Sequence, residues 1–289
     1  MDLLIDPLGH SFFIRALLAA TIVGIVCAVI GTFVVLRGLA FMGDAISHAA
    51  FPGVVVAYIA GGSFYLGAAI AAVATALAIG GVSRRARIRT DTAIGVLFAG
   101  MFALGIFLFS TIEGYVGDLN TFLFGSLISI GTEDLVALSV LAAVVLCLVA
   151  AFWKELLYST FDPLGAGASG LPVSRLESLF LVLVALAVVV SLQAVGVILV
   201  VAMLVTPAAT AQLLAVRFGR LMAIAALVGI VSAVVGLYLS YWLDVASGAT
   251  IVLVQTATFA TALLLGPRTG LLARRRDSEI GVPPAVPSG

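Results

Sequence analysis

Asp44 and His48 stand four residues apart in "FMGDAISHAAFPG" (residues 41–53), inside a stretch that is otherwise apolar. On a helix that spacing puts both side chains on one face, one turn from each other. A carboxylate oxygen and an imidazole nitrogen so placed can share one divalent ion. Mixed oxygen and nitrogen ligation suits manganese, iron(II) or zinc better than calcium or copper(I). Two ligands are too few for a shell, and a dimer would bring two copies of each across its axis. Spacing alone leaves two other readings open. One is a buried hydrogen-bonded pair that supports a helix bundle, and the other is a proton relay, which intramembrane Asp and His also mark. Gly43 before the pair and Pro52-Gly53 after it predict a helix that starts late and ends or bends near Phe51. Broken helices at membrane depth are tolerated where they line a cavity, which favours a transport path.

Other chemistries fare worse. Ser47 and His48 are consecutive, so on a helix they point about 100° apart and form no nucleophile–base pair. An intramembrane aspartyl protease needs a second aspartate at membrane depth, and no other apolar run carries one in its interior. A nucleotide-hydrolysing loop needs G-x-x-x-x-G-K-[ST]. The only lysine is Lys154, in "FWKELL". If ATP drives this protein, another chain binds it.

The elements that position the pair are membrane helices. The 289 residues are 63% hydrophobic and 10% charged, against about 25% charged for a soluble domain. A spanning helix needs roughly 20 apolar residues, and runs of that kind lie near 12–36, 39–60, 63–83, 92–112, 133–153, 177–194, 196–216, 220–242 and 248–266. The fold class is therefore an all-α polytopic membrane protein with eight to nine transmembrane helices. The first run has no cleavage-site pattern after a short apolar core and reads as a retained helix. Abundant Gly and Ala, as in "GAAIAAVATALAIGG" (residues 67–81), describe a compact bundle. Cys27 and Cys147 fall inside apolar runs and read as small core hydrophobes. No internal repeat and no soluble domain is evident. Residues 1–268 form the membrane domain, and 269–289, charged and then rich in Pro and small residues, read as a disordered cytoplasmic tail.

Orientation follows from Lys and Arg in short connections. With "SRRARIR" (residues 83–89) cytoplasmic, Arg37, Lys154, Arg175, Arg217, Arg220 and the arginine-rich tail fall inside. The N-terminus falls outside, with Arg15 alone among the cations on that side. The outer connections then carry Glu113, Asp118, Glu133, Asp134 and Asp244, an acidic face that attracts cations. Two regions resist a simple count. "FLFGSLISIG" (residues 122–131) is too short to span, and residues 177–217 must go out and return within about 40 residues, turning near Gln193 to Gly196 with at least one arm short or broken. Eight spans with an interfacial segment is the alternative. Glu113, Asp118 and Gln255 could each touch the path, without a spacing argument for any of them.

"LVTPAATAQLLAVRFGRL" (residues 204–221) reads as a helix starting at Pro207 that carries Arg217 and Arg220 to the cytoplasmic side. Such a helix can dock in a groove of a soluble partner or be an ordinary helix end with its positive flank.

At these residues the chain resembles the membrane permease of metal-importing ABC transporters of the manganese, zinc and iron family. The resemblance rests on "LRGLAFMGDAISHAAFPGVVVAYI", "RTDTAIGVLFAG", "LFGSL" and "VGVILVVAMLVTPAATAQLL", in that order. It implies a homodimer of permeases, cytoplasmic ATP-binding subunits, an extracytoplasmic metal-binding protein and no resident cofactor, the ion being cargo. It implies that Asp44 and His48 coordinate that ion, and that Pro207, Ala208, Ala209, Thr210, Ala211 and Arg217 lie in the segment coupled to the ATPase. The residues from Ser47 to Gly53 are more similar to manganese or iron members than to zinc members.

Overall fold

The computed structural model describes residues 6–112, 127, 130–196 and 200–265. All regular structure in them is helical. After a short 3-10 turn at Asp6–Gly9, the helices are α1 (Ser11–Leu36), α2 (Met42–Ala49), α3 (Phe51–Ile59), α4 (Phe64–Ala86), α5 (Thr90–Phe109) and α6 (Thr132–Ala151). Two short helices follow, α7 (Trp153–Phe161) and α8 (Pro163–Ala168), and then α9 (Val173–Val195), α10 (Val200–Leu214), α11 (Phe218–Leu243) and α12 (Ser247–Leu265). Among the described residues eight stretches are long and apolar enough to cross a membrane, with α2 and α3 together making one; α10 is shorter.

Contacts sort the helix ends into two groups. At one end Arg37 donates from Nε to Thr160 Oγ1 at 3.0 Å and from a terminal nitrogen to Ser159 Oγ at 3.2 Å. The Phe218 ring packs on Phe33, Trp153 and Phe161, and Arg84 pairs with Glu177 at 3.4 Å. At the other end Arg15 bonds the Ile130 carbonyl, Tyr65 donates to Asp134, and His10 lies on Tyr241. The first group carries Arg37 and Arg84, against Arg15 alone at the other end, and is cytoplasmic by the positive-inside rule. Glu177 and Phe218 share that end, so α9 runs outward and α10 returns. α9 ends at Gly196, whose φ of +79° suits glycine. At about 22 Å, the 15-residue α10 is the short arm.

α1 is the central post, packed against α6, α9, α10 and α11. Small residues allow the closest approaches. A Cβ on Gly31 of α1 would run into the Leu204 carbonyl of α10, and Gly53 of α3 and Gly67 of α4 face each other in the same way. That packing explains a correction to the sequence reading. No helix starts at Pro207; α10 runs from Val200 through Pro207 to Leu214. Proline removes one ladder bond and strains an isolated helix, but here Pro207 is buried in the bundle one turn from the Gly31 contact, and tertiary packing holds the helix through it. Arg217 and Arg220 are not on that helix. Arg217 caps α11, and Arg220 lies in its first turn.

Candidate metal site

The pair is carried by an eight-residue helix whose limits are set locally. α1 ends in a glycine-capped turn: Gly38 has φ +68°, its N–H bonds the Val35 carbonyl at 3.1 Å, and Leu39 N–H bonds the Val34 carbonyl at 2.9 Å. α2 begins at Met42 and stops at Ala49. Pro52, in the first turn of α3, has no N–H to offer the His48 carbonyl, and the helix is interrupted at Ala50, whose own dihedrals stay helical. The late start and the break near Phe51 are thus both present.

α2 divides into two faces. Met42, Ile46 and Ala49 are fully buried, and α2 packs on α4, α5, α9 and α10. On the other face the side chains of Asp44 and His48 are 40% and 23% exposed, with Asp44 Oδ1 3.9 Å from His48 Nε2. That separation is too long for a hydrogen bond, so the pair is neither bonded internally nor fully buried, unlike the structural-pair reading. Ligands about 2.1 Å from one ion lie roughly 3.0–3.4 Å apart in octahedral or tetrahedral geometry, so a side-chain adjustment of under about 1 Å brings both onto a common ion. Ser47 is buried and donates its hydroxyl to the Asp44 backbone carbonyl at 2.8 Å, which takes it away from nucleophilic chemistry.

The imidazole is seated on α5. Its centroid is 5.1 Å from the Phe102 ring and 5.6 Å from the Phe98 ring, with interplanar angles of 24° and 28°. Nδ1 is buried and has no hydrogen-bond partner among the described residues. Among the described residues no group of three or more His, Cys, Asp and Glu side chains comes together. One chain therefore offers two donors and open positions.

The remaining candidates are scattered. Pro207, Ala208, Thr210 and Ala211 are buried inside α10, with Ala209 partly so, and the Thr210 hydroxyl bonds the Thr206 carbonyl at 2.7 Å. Of that set, only Arg217 is exposed. Gln255 is fully buried against Met203, with Nε2 3.1 Å from its sulfur, so it does not line an open path here. Glu113, Asp118, the tail and most of the 122–131 segment lie outside the described residues.

Sequence reasoning missed two features. One is the Phe98–Phe102 platform, half of whose signal lay inside the quoted "RTDTAIGVLFAG". The other is the α7–α8 pair at the cytoplasmic end. There Asp162 accepts from Gly165 N–H at 2.8 Å and Pro163 opens α8. That Asp-Pro start signal was readable. Phe161 and Leu164 beside it are 62% and 87% exposed.

Comparison with known proteins places these residues in a lineage. The model of a family described as the ABC 3 transport family matches residues 9–266. The chain is 49% identical over 267 residues to the manganese transport system membrane protein MntC of Halalkalibacterium halodurans, covering 92% of this chain and 91% of the relative. It is 39% identical over 280 residues to the chelated iron transport system membrane protein YfeC of Yersinia pestis, covering 97% and 95%. Among solved structures, PsaBC from Streptococcus pneumoniae in complex with Fab superposes with a TM-score of 0.84 at 37% identity, covering 94% of this chain and 98% of that one.

Proposed function

The chain belongs to the ABC 3 transport family, and from that premise we propose that it is the permease subunit of an ATP-driven importer of divalent transition metal ions, manganese before iron or zinc. It is a multi-pass protein of the prokaryotic cell membrane. The relatives at 46–49% identity are named for manganese and those at 38–40% for iron or manganese, which supports the order of preference.

The observation that carries the reading is the half-site. Asp44 and His48 share the accessible face of a helix broken at membrane depth, 3.9 Å apart, with no third ligand nearby among the described residues. A second copy of the chain supplies the other half, giving two carboxylates and two imidazoles to one ion. The metal-binding forms are the ionised carboxylate and the neutral imidazole, so protons compete with the ion and acidification weakens binding.

Transport proceeds by alternating access. A separate extracytoplasmic protein delivers the ion to the acidic outer face, the shared site receives it, and cytoplasmic subunits that hydrolyse ATP drive the change of access. With Lys154 the only lysine, the chain holds no phosphate-binding loop of its own. The exposed residues at the cytoplasmic end nominate the contact with those subunits: Arg217 and Val216 before α11, and Phe161 and Leu164 at the α7–α8 joint. The buried stretch from Pro207 to Ala211 acts from behind that surface. Residues 1–268 are the transport unit and 269–289 a cytoplasmic tail.

The test is metal uptake by the assembled transporter in proteoliposomes. Asp44→Asn and His48→Ala are expected to abolish Mn2+ uptake while the permease still purifies with its ATPase. Uptake at the wild-type rate by either variant would overturn the site.

A further inference from the structure

His48 is held in an unusual way for a metal ligand. A metal-binding histidine ordinarily donates its second ring N–H to a carboxylate or carbonyl, which fixes the ring and strengthens it as a donor; losing that partner costs about 10- to 100-fold in metal affinity. Here Nε2 faces Asp44, and the other nitrogen, Nδ1, is buried with no acceptor among the described residues. Two phenylalanines do the orienting. The three ring centres form a nearly equilateral triangle with sides of 5.1, 5.6 and 6.0 Å, and the planes are within 28° of parallel. The imidazole is therefore seated against both rings in offset stacking, not sandwiched between them. Phe98 and Phe102 are one turn apart on α5, so a single helix provides the whole platform.

Resting on the metal-site reading above, we propose that Phe98 and Phe102 set the affinity of the site. Their faces fix the direction of the His48 lone pair, and their lack of any acceptor withholds the support that would make the ligand strong. Orientation and strength, which most metal sites obtain from one hydrogen bond, are here separated. The ring is ready to meet the ion, and the ion is held weakly enough to leave. That combination suits cargo, whereas a resident metal is served by the hydrogen-bonded kind.

The experiment measures Mn2+ uptake by the complete transporter in proteoliposomes, with equilibrium Mn2+ binding followed through the loss of the free-ion EPR signal. Phe102→Leu keeps an apolar side chain and removes the stack, and half-saturation is expected to rise about 3- to 10-fold. Phe102→Gln supplies an amide oxygen beside the ring. Binding is expected to tighten by about tenfold or more and the maximal uptake rate to fall as release slows. Phe98→Leu and Phe98→Gln repeat the pair of measurements from the other corner of the triangle, should either 102 variant fail to assemble. Unaltered half-saturation in both Leu variants overturns the proposal. So does a shift of the Leu and Gln variants in the same direction, which marks simple loss of packing. His48→Ala is run alongside. Normal uptake there removes the metal-site reading itself, whereas lost uptake there with silent Phe variants removes only the platform.

Discussion

Arg37 and His48 lie eleven residues apart, on either side of the turn between α1 and α2, and the protein treats them in opposite ways. Arg37 is saturated. Its Nε bonds Thr160, a terminal nitrogen bonds Ser159, and its guanidinium carbon sits 4.1 Å from the Phe180 ring centre. Burial lowers its pKa to about 10 and Glu177 acts the other way, so it stays charged at neutral pH. His48 also rests on aromatic rings, but one nitrogen has no partner and the other faces a carboxylate too far away to bond. An unmet buried polar group costs stability, and among the described residues Thr75, Ser232 and Gln255 also carry one such atom. Of Arg37 and His48, the one left incomplete is the one whose partner arrives from outside.

The sharpest way to break this contrast is to delete each side of it. His48→Ala should abolish metal uptake with little change in the apparent melting temperature of the purified complex. Arg37→Met keeps the apolar stem and removes the charged head. It should lower stability by about 1.5–3 kcal/mol, read as an earlier thermal unfolding transition, with Arg37→Lys recovering only part because an ammonium lacks the planar fork. If His48→Ala proved the more destabilising of the two, the division into supporting and waiting groups would fail. Next in size is the double substitution Ser159→Ala with Thr160→Val, which removes the two acceptors together with their own bonds to the Leu156 carbonyl. It should cost about 1–2 kcal/mol in the same assay, and less when Arg37 is already Met, the remainder being the Leu156 bonds. The smallest effect belongs to Arg84→Gln. The Arg84–Glu177 pair spans 3.4 Å with side chains 37% and 38% exposed, and its loss should cost no more than about 1 kcal/mol and should shrink further in high salt.

What was legible in the sequence was local. The long apolar runs, the one-face spacing of Asp44 and His48, and the break before Pro52 depend on neighbours within a few residues, and each stands in the fold. The out-and-back path of α9 and α10 was also readable, because arginine placement constrains it from both ends. Pro207 misled for the complementary reason. Its local rule favours a helix start, and only the contact between Gly31 and Leu204, more than 170 residues apart in sequence, shows why the helix continues. The Phe98–Phe102 platform was legible only as a recognised segment around Phe98, not as a partner of His48. With 17 phenylalanines in the chain, nothing in the spacing marks two of them as the seat of a histidine some 50 residues away.

The break at Ala50 has a consequence in leverage. At about 1.5 Å per residue, Asp44 sits some 9 Å along the axis from Ala50 and His48 some 3 Å. A tilt of α2 by about 10° about that pivot carries Asp44 sideways by about 1.6 Å and His48 by about 0.5 Å. The first displacement approaches the length of a metal–oxygen bond, about 2.1 Å, and the second does not. A rotation about that point would thus displace the carboxylate about three times as far as the imidazole, so the two ligands of each half-site would not move as one.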